Sequence, residues 1–213
     1  MVNRFPFDRV NNFSDAIFAI AITLLILDVK IPPSADIEAL GTGEALAKQI
    51  PSIIGLLVSF FVTALYWRAH LTLVQFIKSY DNRMLWLNLW LLLFVVLLPF
   101  STALYSKNFN LNGPFVFYCF NLVMIGFFNY LMVKHTLFKE GYSETLTPLV
   151  GAWLKFRATV APTVWLFSAL MAFIEPVTAR FTFILIFIIL MIGDRNYKRK
   201  AKELELKEQA SQA

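Results

Sequence analysis

The chain has 213 residues, of which 58% are hydrophobic, 16% aromatic and only 15% charged. Soluble globular proteins carry about 25% charged residues, so much of this surface must face something other than water. The net charge of +5 would suit a nucleic-acid partner, but the basic residues are distributed as in a membrane protein, and we expect no nucleic acid. The hydrophobic runs leave too little polar sequence for a separate soluble domain. We therefore predict one domain over residues 1–213.

Catalytic and metal-binding patterns are sparse. Cys119 is the only cysteine, which excludes an intramolecular disulfide and a cysteine-based metal site. The two histidines, His70 and His135, are too few for a histidine-rich metal site, and there is no glycine-rich phosphate loop or zinc-protease motif. We expect no enzyme activity and no resident cofactor or metal.

Six hydrophobic runs are long enough to cross a bilayer as helices, since a spanning helix needs about 20 apolar residues. The first begins at Phe13 and lacks a small-residue cleavage site after it, so we interpret it as a retained span. Pro32 and Pro33 end the first run, and Pro51 starts the second. The chain is predicted to be an all-α, polytopic membrane protein with spans at roughly 13–31, 52–77, 84–106, 114–138, 156–174 and 177–194. Residues 32–50 form a predicted external loop.

Lysine and arginine alternate between the two sides of this arrangement. Fourteen of the nineteen basic residues fall on the side of both termini, four fall on the other side, and Arg68 lies within the second span. Positive residues are enriched on the cytoplasmic side of membrane proteins, so both termini are predicted to be cytoplasmic. The basic tail, 195–213, is interpreted as a topology determinant that contacts anionic lipid head groups.

The first span carries a polar pair and an aliphatic stripe on different sides. Each residue of a helix advances by about 100°, so Ile20, Leu24 and Leu27 share one stripe with Thr23 beside it. Asp15 points about 140° away from Ile20, and Ser14 lies about 120° the other way. A carboxylate within a span costs at least about 2.5–3.5 kcal/mol, so Asp15 should face a partner in a neighbouring helix.

Candidate partners lie in the next two spans. Trp67 offers an indole donor, His70 an imidazole and Asn88 an amide, and such groups bond across membrane helices for about 0.6–2 kcal/mol each. We interpret Ser14, Asp15 and these three residues as a buried polar cluster that joins three helices. A proton relay through Asp15 and His70 is the alternative. The aliphatic stripe of the first span needs no functional explanation, because aliphatic residues at helical spacing usually face lipid or another helix.

The sequence around these residues resembles a known family. Arg9 and the run Phe13-Ser14-Asp15, continuing into AIFAIAITLL, resemble the first-helix signature of bacterial members of the transmembrane protein 175 family, relatives of an endosomal and lysosomal potassium channel. The resemblance continues through residues 66–70 (YWRAH), 85–88 (LWLN) and 98–104 (LPFSTAL). It covers about the first half of the chain.

The resemblance implies a potassium-permeable channel in the bacterial inner membrane that lacks the TVGYG filter. With a single signature the chain would be a homotetramer whose first helices line a central pore. Ile20 would form its narrowest ring, Leu24 and Leu27 further rings, and Thr23 a hydroxyl layer. Arg9 would join the structural polar network of Ser14, Asp15, Trp67, His70 and Asn88. Selectivity for K⁺ over Na⁺ is expected to be weak.

Two other classes of function stay open at this point. A proton-coupled transporter, or a proton-permeable channel, would use Asp15 and His70, although transporters usually show broken helices at the membrane midplane. A membrane enzyme would use His70, His135 and Glu140 as acid–base groups, but the latter two are more simply interpreted as residues at the membrane interface.

Overall fold

The computed structural model describes residues 5–141 and 145–212, except for the side chains of Glu205 and residues 207–212. Arg4, residues 142–144 and the last residue of the predicted basic tail lie outside this description. Over the described part the fold is helical, with one isolated bridge between Phe5 and Tyr80. The α-helices are α1 (Phe7–Leu24), α2 (Ser34–Leu40), α3 (Thr42–Ala47), α4 (Ile50–Val74), α5 (Asn82–Lys107), α6 (Asn112–Glu140), α7 (Pro148–Met171), α8 (Pro176–Ala179) and α9 (Ile184–Gln212).

Four helical segments among the described residues are long and apolar enough to cross a bilayer. They are Phe7–Asp28, Ile50–Val74, Asn82–Lys107 and Asn112–Glu140, and they correspond to the first four predicted spans. Helices α7 and α9 cover the fifth and sixth runs. Lys155 and Arg157 interrupt the apolar sequence of α7, and α9 turns polar from Asp194 onward. The count of six spans therefore stays a prediction.

Several helix ends differ from the predicted bounds. Helix α1 begins at Phe7 rather than near residue 13, and α7 begins at Pro148 rather than near 156. Hydropathy marks only the part of a helix that lies in the bilayer, whereas these helices extend into polar sequence. The last helix begins at Ile184 rather than near 177, because Pro176 starts the separate short helix α8.

Local sequence explains where the long helices begin and end. The Asp81 carboxylate accepts a 2.7 Å hydrogen bond from the Met84 backbone amide at the start of α5, and the Thr147 hydroxyl accepts one from Val150 at the start of α7. Both are N-cap contacts that satisfy an otherwise unpaired amide. Helix α6 ends at Glu140, and Gly141 follows it with a φ of +67° that favours glycine.

The core of the chain lies around α5, α6 and α7. Half of the apolar window of α6 is buried, compared with 22% for the α1 segment and for α4. Helices α6 and α7 approach closely at Gly126, where an added Cβ would lie 2.8 Å from the ring of Pro162. Helices α1 and α4 therefore keep most of their apolar surface free for lipid or another chain.

The end of α1 and the segment after it are irregular. Residues Leu25–Asp28 form a 3₁₀-helix that continues α1. The predicted external loop contains α2 and α3, which are joined at Gly41, where φ is +81°. A 3₁₀-helix advances by 120° per residue rather than 100°, so the predicted position of Leu27 on the wheel shifts relative to Ile20.

Candidate functional site in the first helix

One side of the α1 segment presents exposed aliphatic side chains. Ile20 is 57% exposed, Leu24 42% and Leu27 74%. Thr23 is also exposed, and its hydroxyl donates a 2.8 Å hydrogen bond to the carbonyl oxygen of Ile20. With Ile26, which is 53% exposed, four large aliphatic side chains are therefore uncovered within eight residues.

The opposite side of α1 is buried. Ser14, Phe18, Ala21 and Leu25 are each at most 3% exposed, and their spacing of four, three and four residues places them on one helix face. This buried stripe packs mainly against α5. Helix α1 therefore has one face packed against its own chain and one face free to contact lipid or another chain.

Ser14, Asn88 and His70 form a continuous chain of buried hydrogen bonds. The amide nitrogen of Asn88 donates to the Ser14 hydroxyl at 2.8 Å, and Nε2 of His70 lies 3.0 Å from Oδ1 of Asn88. An amide oxygen only accepts, so with this amide orientation Nε2 of His70 is the protonated nitrogen. The three side chains, all at most 1% exposed, connect α1, α5 and α4.

Asp15 makes a separate contact with α4. The indole nitrogen of Trp67 donates a 2.9 Å hydrogen bond to Oδ1 of Asp15. Arg9 is exposed near the start of α1. The structure thus places five of the six predicted network residues in two hydrogen-bonded groups. One group is Ser14, Asn88 and His70, and the other is Asp15 and Trp67. Arg9 belongs to neither group. The roles assigned to all six stay predictions.

The far end of the α1 segment is held by a contact that sequence reasoning missed. Asp28, at the end of the 3₁₀-helix, pairs with Nζ of Lys107 at 2.9 Å and accepts a hydrogen bond from the Ser106 hydroxyl. The Asp28 side chain is only 6% exposed. The signal available in the sequence was the cost of a carboxylate at the end of an apolar run, which applies to Asp28 as it does to Asp15.

The near end of α1 is held at the turn between α4 and α5. The Phe5 amide donates to the carbonyl oxygen of Tyr80 at 3.0 Å, and the Tyr80 hydroxyl donates to Asn11 at 2.8 Å. Burial raises the pKa of the Tyr80 phenol, and the nearby charge of Asp15 raises it further. Tyr80 therefore stays a neutral donor at ordinary pH.

An ionic cluster lies beside this turn. Nε2 of His135 is 3.0 Å from the Asp81 carboxylate, and Nζ of Lys139 is 3.7 Å from both Asp81 and Glu140. Partial burial raises the pKa of Asp81, but the Met84 amide, His135 and Lys139 together lower it below its ordinary value. His135, considered above as an acid–base group, thus joins the end of α6 to Asp81 at the start of α5. Glu140, considered with it, pairs with Lys139 of its own helix and with Lys78 of the turn before α5.

The described residues contain no obvious metal centre. Across 5–141 and 145–212, no three or more His, Cys, Asp or Glu side chains are grouped so that they could hold a metal ion.

A helical chain with four candidate spans, and with polar contacts buried between three of them, is a multi-pass membrane protein. Residues 9–99 match the family model described as "Endosomal/lysosomal potassium channel TMEM175", and this range contains every residue of the exposed stripe and of the polar contacts around Ser14 and Asp15. Over these residues the chain is similar to the TMEM175 family.

The similarity to known proteins extends over different lengths. A potassium channel of Chryseobacterium sp. (strain P1-3) is 25% identical over 196 residues, which cover 92% of this chain and 97% of that protein. A potassium channel of Streptomyces collinus is 41% identical over 99 residues, 46% of this chain and 47% of that protein. The crystal structure of a lysosomal potassium-selective channel TMEM175 homologue from Chamaesiphon minutus matches the fold with a TM-score of 0.77. That match is 24% identical and covers 88% of this chain and 97% of the other.

Proposed function

We propose that this protein is a potassium-permeable cation channel, formed by four copies whose α1 helices surround the ion path. The observation that carries the proposal is the division of α1 into two faces. One face is fixed to α4 and α5 by Ser14, Asp15 and the buried apolar stripe, and the other exposes Ile20 and its neighbours. Relatives named as potassium channels favour an ion path over lipid as the surroundings of that exposed face.

In this proposal Ile20 forms the narrowest ring of the path. An isoleucine side chain has no polar atom to replace water around an ion, so passage depends on the ring being wide enough to stay wet. An ion that must shed part of its hydration shell loses less as K⁺ than as the more tightly hydrated Na⁺. The expected result is weak selectivity for K⁺ over Na⁺, without specific coordination.

Thr23 contributes the only hydroxyl beside this stripe among the described residues of α1. Its hydrogen is used by the carbonyl oxygen of Ile20, so its oxygen keeps its lone pairs as acceptors. A ring of four such oxygens next to the isoleucine ring would receive a cation as it leaves the apolar constriction. Leu24 and Leu27 extend the apolar path towards the end that Asp28 anchors. Both termini would lie on the cytoplasmic side, as the distribution of basic residues predicts.

Flux from liposomes tests the proposal directly. Purified protein is reconstituted with KCl inside and an impermeant cation outside, and the K⁺ current is measured with and without a proton ionophore. We expect an electrogenic K⁺ leak that needs no proton gradient. Strict coupling of K⁺ movement to protons would support a carrier instead, and proton flux without K⁺ flux would support a proton channel. A particle mass in detergent that differs from four chains would contradict the tetramer.

A further inference from the structure

A second feature of the molecule lies away from the α1 helix, between α4, α7 and α9. A cavity of about 340 Å³ opens there, and four basic side chains contribute to its wall: Arg68, Arg157, Arg195 and Lys198. One carboxylate, that of Asp194, lies among them. The summed formal charge of these five side chains is strongly positive. The side chains come from three separate helices.

The single carboxylate is already engaged within the chain. Nη1 of Arg157 lies 2.9 Å and 3.2 Å from the two oxygens of Asp194, and the indole nitrogen of Trp153 donates to the same group at 2.9 Å. The Arg157 guanidinium also lies over the Trp153 ring, 5.0 Å from its centroid. Asp194 therefore balances Arg157 and leaves the other three cations of the cavity without a carboxylate.

Arg68 is the most informative of these three cations. It lies in α4 six residues before the end of the helix at Val74, which places it about 9 Å inside that end. A cation at such a depth is costly and normally faces a partner or water. Within the described part of the chain, no carboxylate lies at ion-pair distance from Arg68, Arg195 or Lys198, so an anion from outside the chain would complete the cavity.

The rest of the wall is apolar. Leu65, Phe187, Leu190 and Met191 line the cavity beside the basic groups. Arg195 and Lys198 follow directly on the apolar part of α9. If α9 spans the bilayer as the hydropathy predicts, the two residues come at the level of the lipid head groups. The planar guanidinium matches a phosphate with two parallel hydrogen bonds, and the apolar wall suits the start of an acyl chain. A free inorganic anion would leave that apolar wall unused.

We propose that this cavity binds the phosphate head group of an anionic membrane lipid, with Arg68, Arg195 and Lys198 as its ligands and Arg157 held in position by Asp194. Basic pockets between membrane helices are typical sites for such head groups. The site is separate from the exposed face of α1, so it does not depend on the proposed ion path.

Thermal unfolding of the purified full chain in a neutral detergent tests this site. Short-chain phosphatidylglycerol, short-chain phosphatidylcholine and sodium phosphate are added separately at equal concentration. Ligands that bind only the folded state raise the melting temperature. We expect phosphatidylglycerol to raise it by several degrees, and phosphatidylcholine and phosphate to have little effect.

The variant R68Q/K198Q should lose this rise, and the single variant K198Q should reduce it. Lys198 is exposed, so K198Q should still fold and can test the site if the double variant folds poorly. R199Q is the matched control, because Arg199 is the next residue of α9, pairs with Glu203 and does not line the cavity. A rise that phosphate alone reproduces would overturn the lipid as the source of the anion. A rise of equal size in wild type and R68Q/K198Q, or no rise in wild type, would overturn the site.

Discussion

The indole nitrogen of Trp67 donates a 2.9 Å hydrogen bond to the Asp15 carboxylate, which ties α4 to α1. Trp67→Phe keeps the aromatic bulk but leaves a half-buried carboxylate without this donor. Hydrogen bonds between membrane helices contribute about 0.6–2 kcal/mol, so we expect a lower melting temperature in detergent by the equivalent of about 1 kcal/mol. Trp86→Phe, at an exposed position of α5, is the matched control and should have little effect. Equal losses in both variants would mean that the Asp15 contact contributes nothing.

Ile20 is the residue for which the proposed ion path makes the sharpest prediction. Ile20→Asn replaces an apolar ring by amides that can hydrate a passing ion, so the cost of dehydration that separates K⁺ from Na⁺ should fall. We expect the reversal potential under a K⁺–Na⁺ gradient to move towards zero. Ile22→Asn makes the same substitution two residues along, where the side chain is half-buried, and should leave the reversal potential unchanged. An unchanged potential in the Ile20 variant would contradict its place in the constriction.

Lys107 neutralises a carboxylate that is almost fully buried. Lys107→Met leaves Asp28 with the Ser106 hydroxyl alone. An unsatisfied buried polar group costs about 1–3 kcal/mol, so we expect a clear loss of thermal stability. The ion pair between Lys48 and Asp36 is exposed on both sides, and exposed pairs contribute about 0–1 kcal/mol. Lys48→Met is therefore the control, and an effect as large as that of Lys107→Met would contradict the special role of Asp28.

Gly126 permits the closest approach of α6 and α7. Gly126→Ala would place a methyl group 2.8 Å from the Pro162 ring, and a proline ring within a helix cannot move away without moving the backbone. Overpacking of this kind costs about 1–3 kcal/mol, so expression and melting temperature should both fall. Gly113, in the first turn of the same helix, has open space around it. Gly113→Ala should therefore be tolerated, since alanine is also the better helix former, and a similar loss there would contradict the packing explanation.

Asp81 makes the ends of α5 and α6 sensitive to acid. Because its pKa is lower in the folded chain than its ordinary value of 3.8, its contribution to stability is complete above that value and is lost as the pH falls through the lower, folded pKa. Asn is also an effective N-cap, so Asp81→Asn keeps the cap and removes the charge.

We expect wild type to melt above Asp81→Asn at neutral pH, and the gap to close below about pH 3.8. Thermal unfolding across this pH range measures the gap. Asp8→Asn, which changes an exposed carboxylate of α1, should show no comparable gap. A gap between wild type and Asp81→Asn that stays constant into acid would contradict the ionic role of Asp81.

Hydropathy was sufficient to predict the long helices of the first 140 residues, because bilayer thickness sets their minimum length. It could not locate the start of α1, since residues 7–12 include Asp8, Arg9 and two asparagines yet continue the helix. The start of α7 was available from Thr147 and Pro148, which form an N-cap followed by a proline of the first turn. Periodicity correctly separated Ser14 and Asp15 from the side of Ile20.

Contacts between distant residues were predictable only where chemistry narrowed the choice. The cost of a carboxylate in a span, with Trp67 and His70 close together on the next helix, indicated a partner for Asp15. Asp28 and Lys107 are 79 positions apart, and no spacing in the sequence connects them. The acidic and basic groups of α7 and α9 likewise come together only through the packing of the two helices.

The α1 segment is fastened at three levels. The Tyr80 hydroxyl and carbonyl, at the turn before α5, hold its beginning, Asn88 of α5 holds Ser14, and Lys107 holds Asp28 at its other end. A helix fixed in this way cannot swing or twist on its own without breaking one of these attachments. If the pore opens and closes by changing its diameter, α1 and α5 must move together as one rigid unit. The motion would then begin at the contacts of α5 with its surroundings rather than within α1.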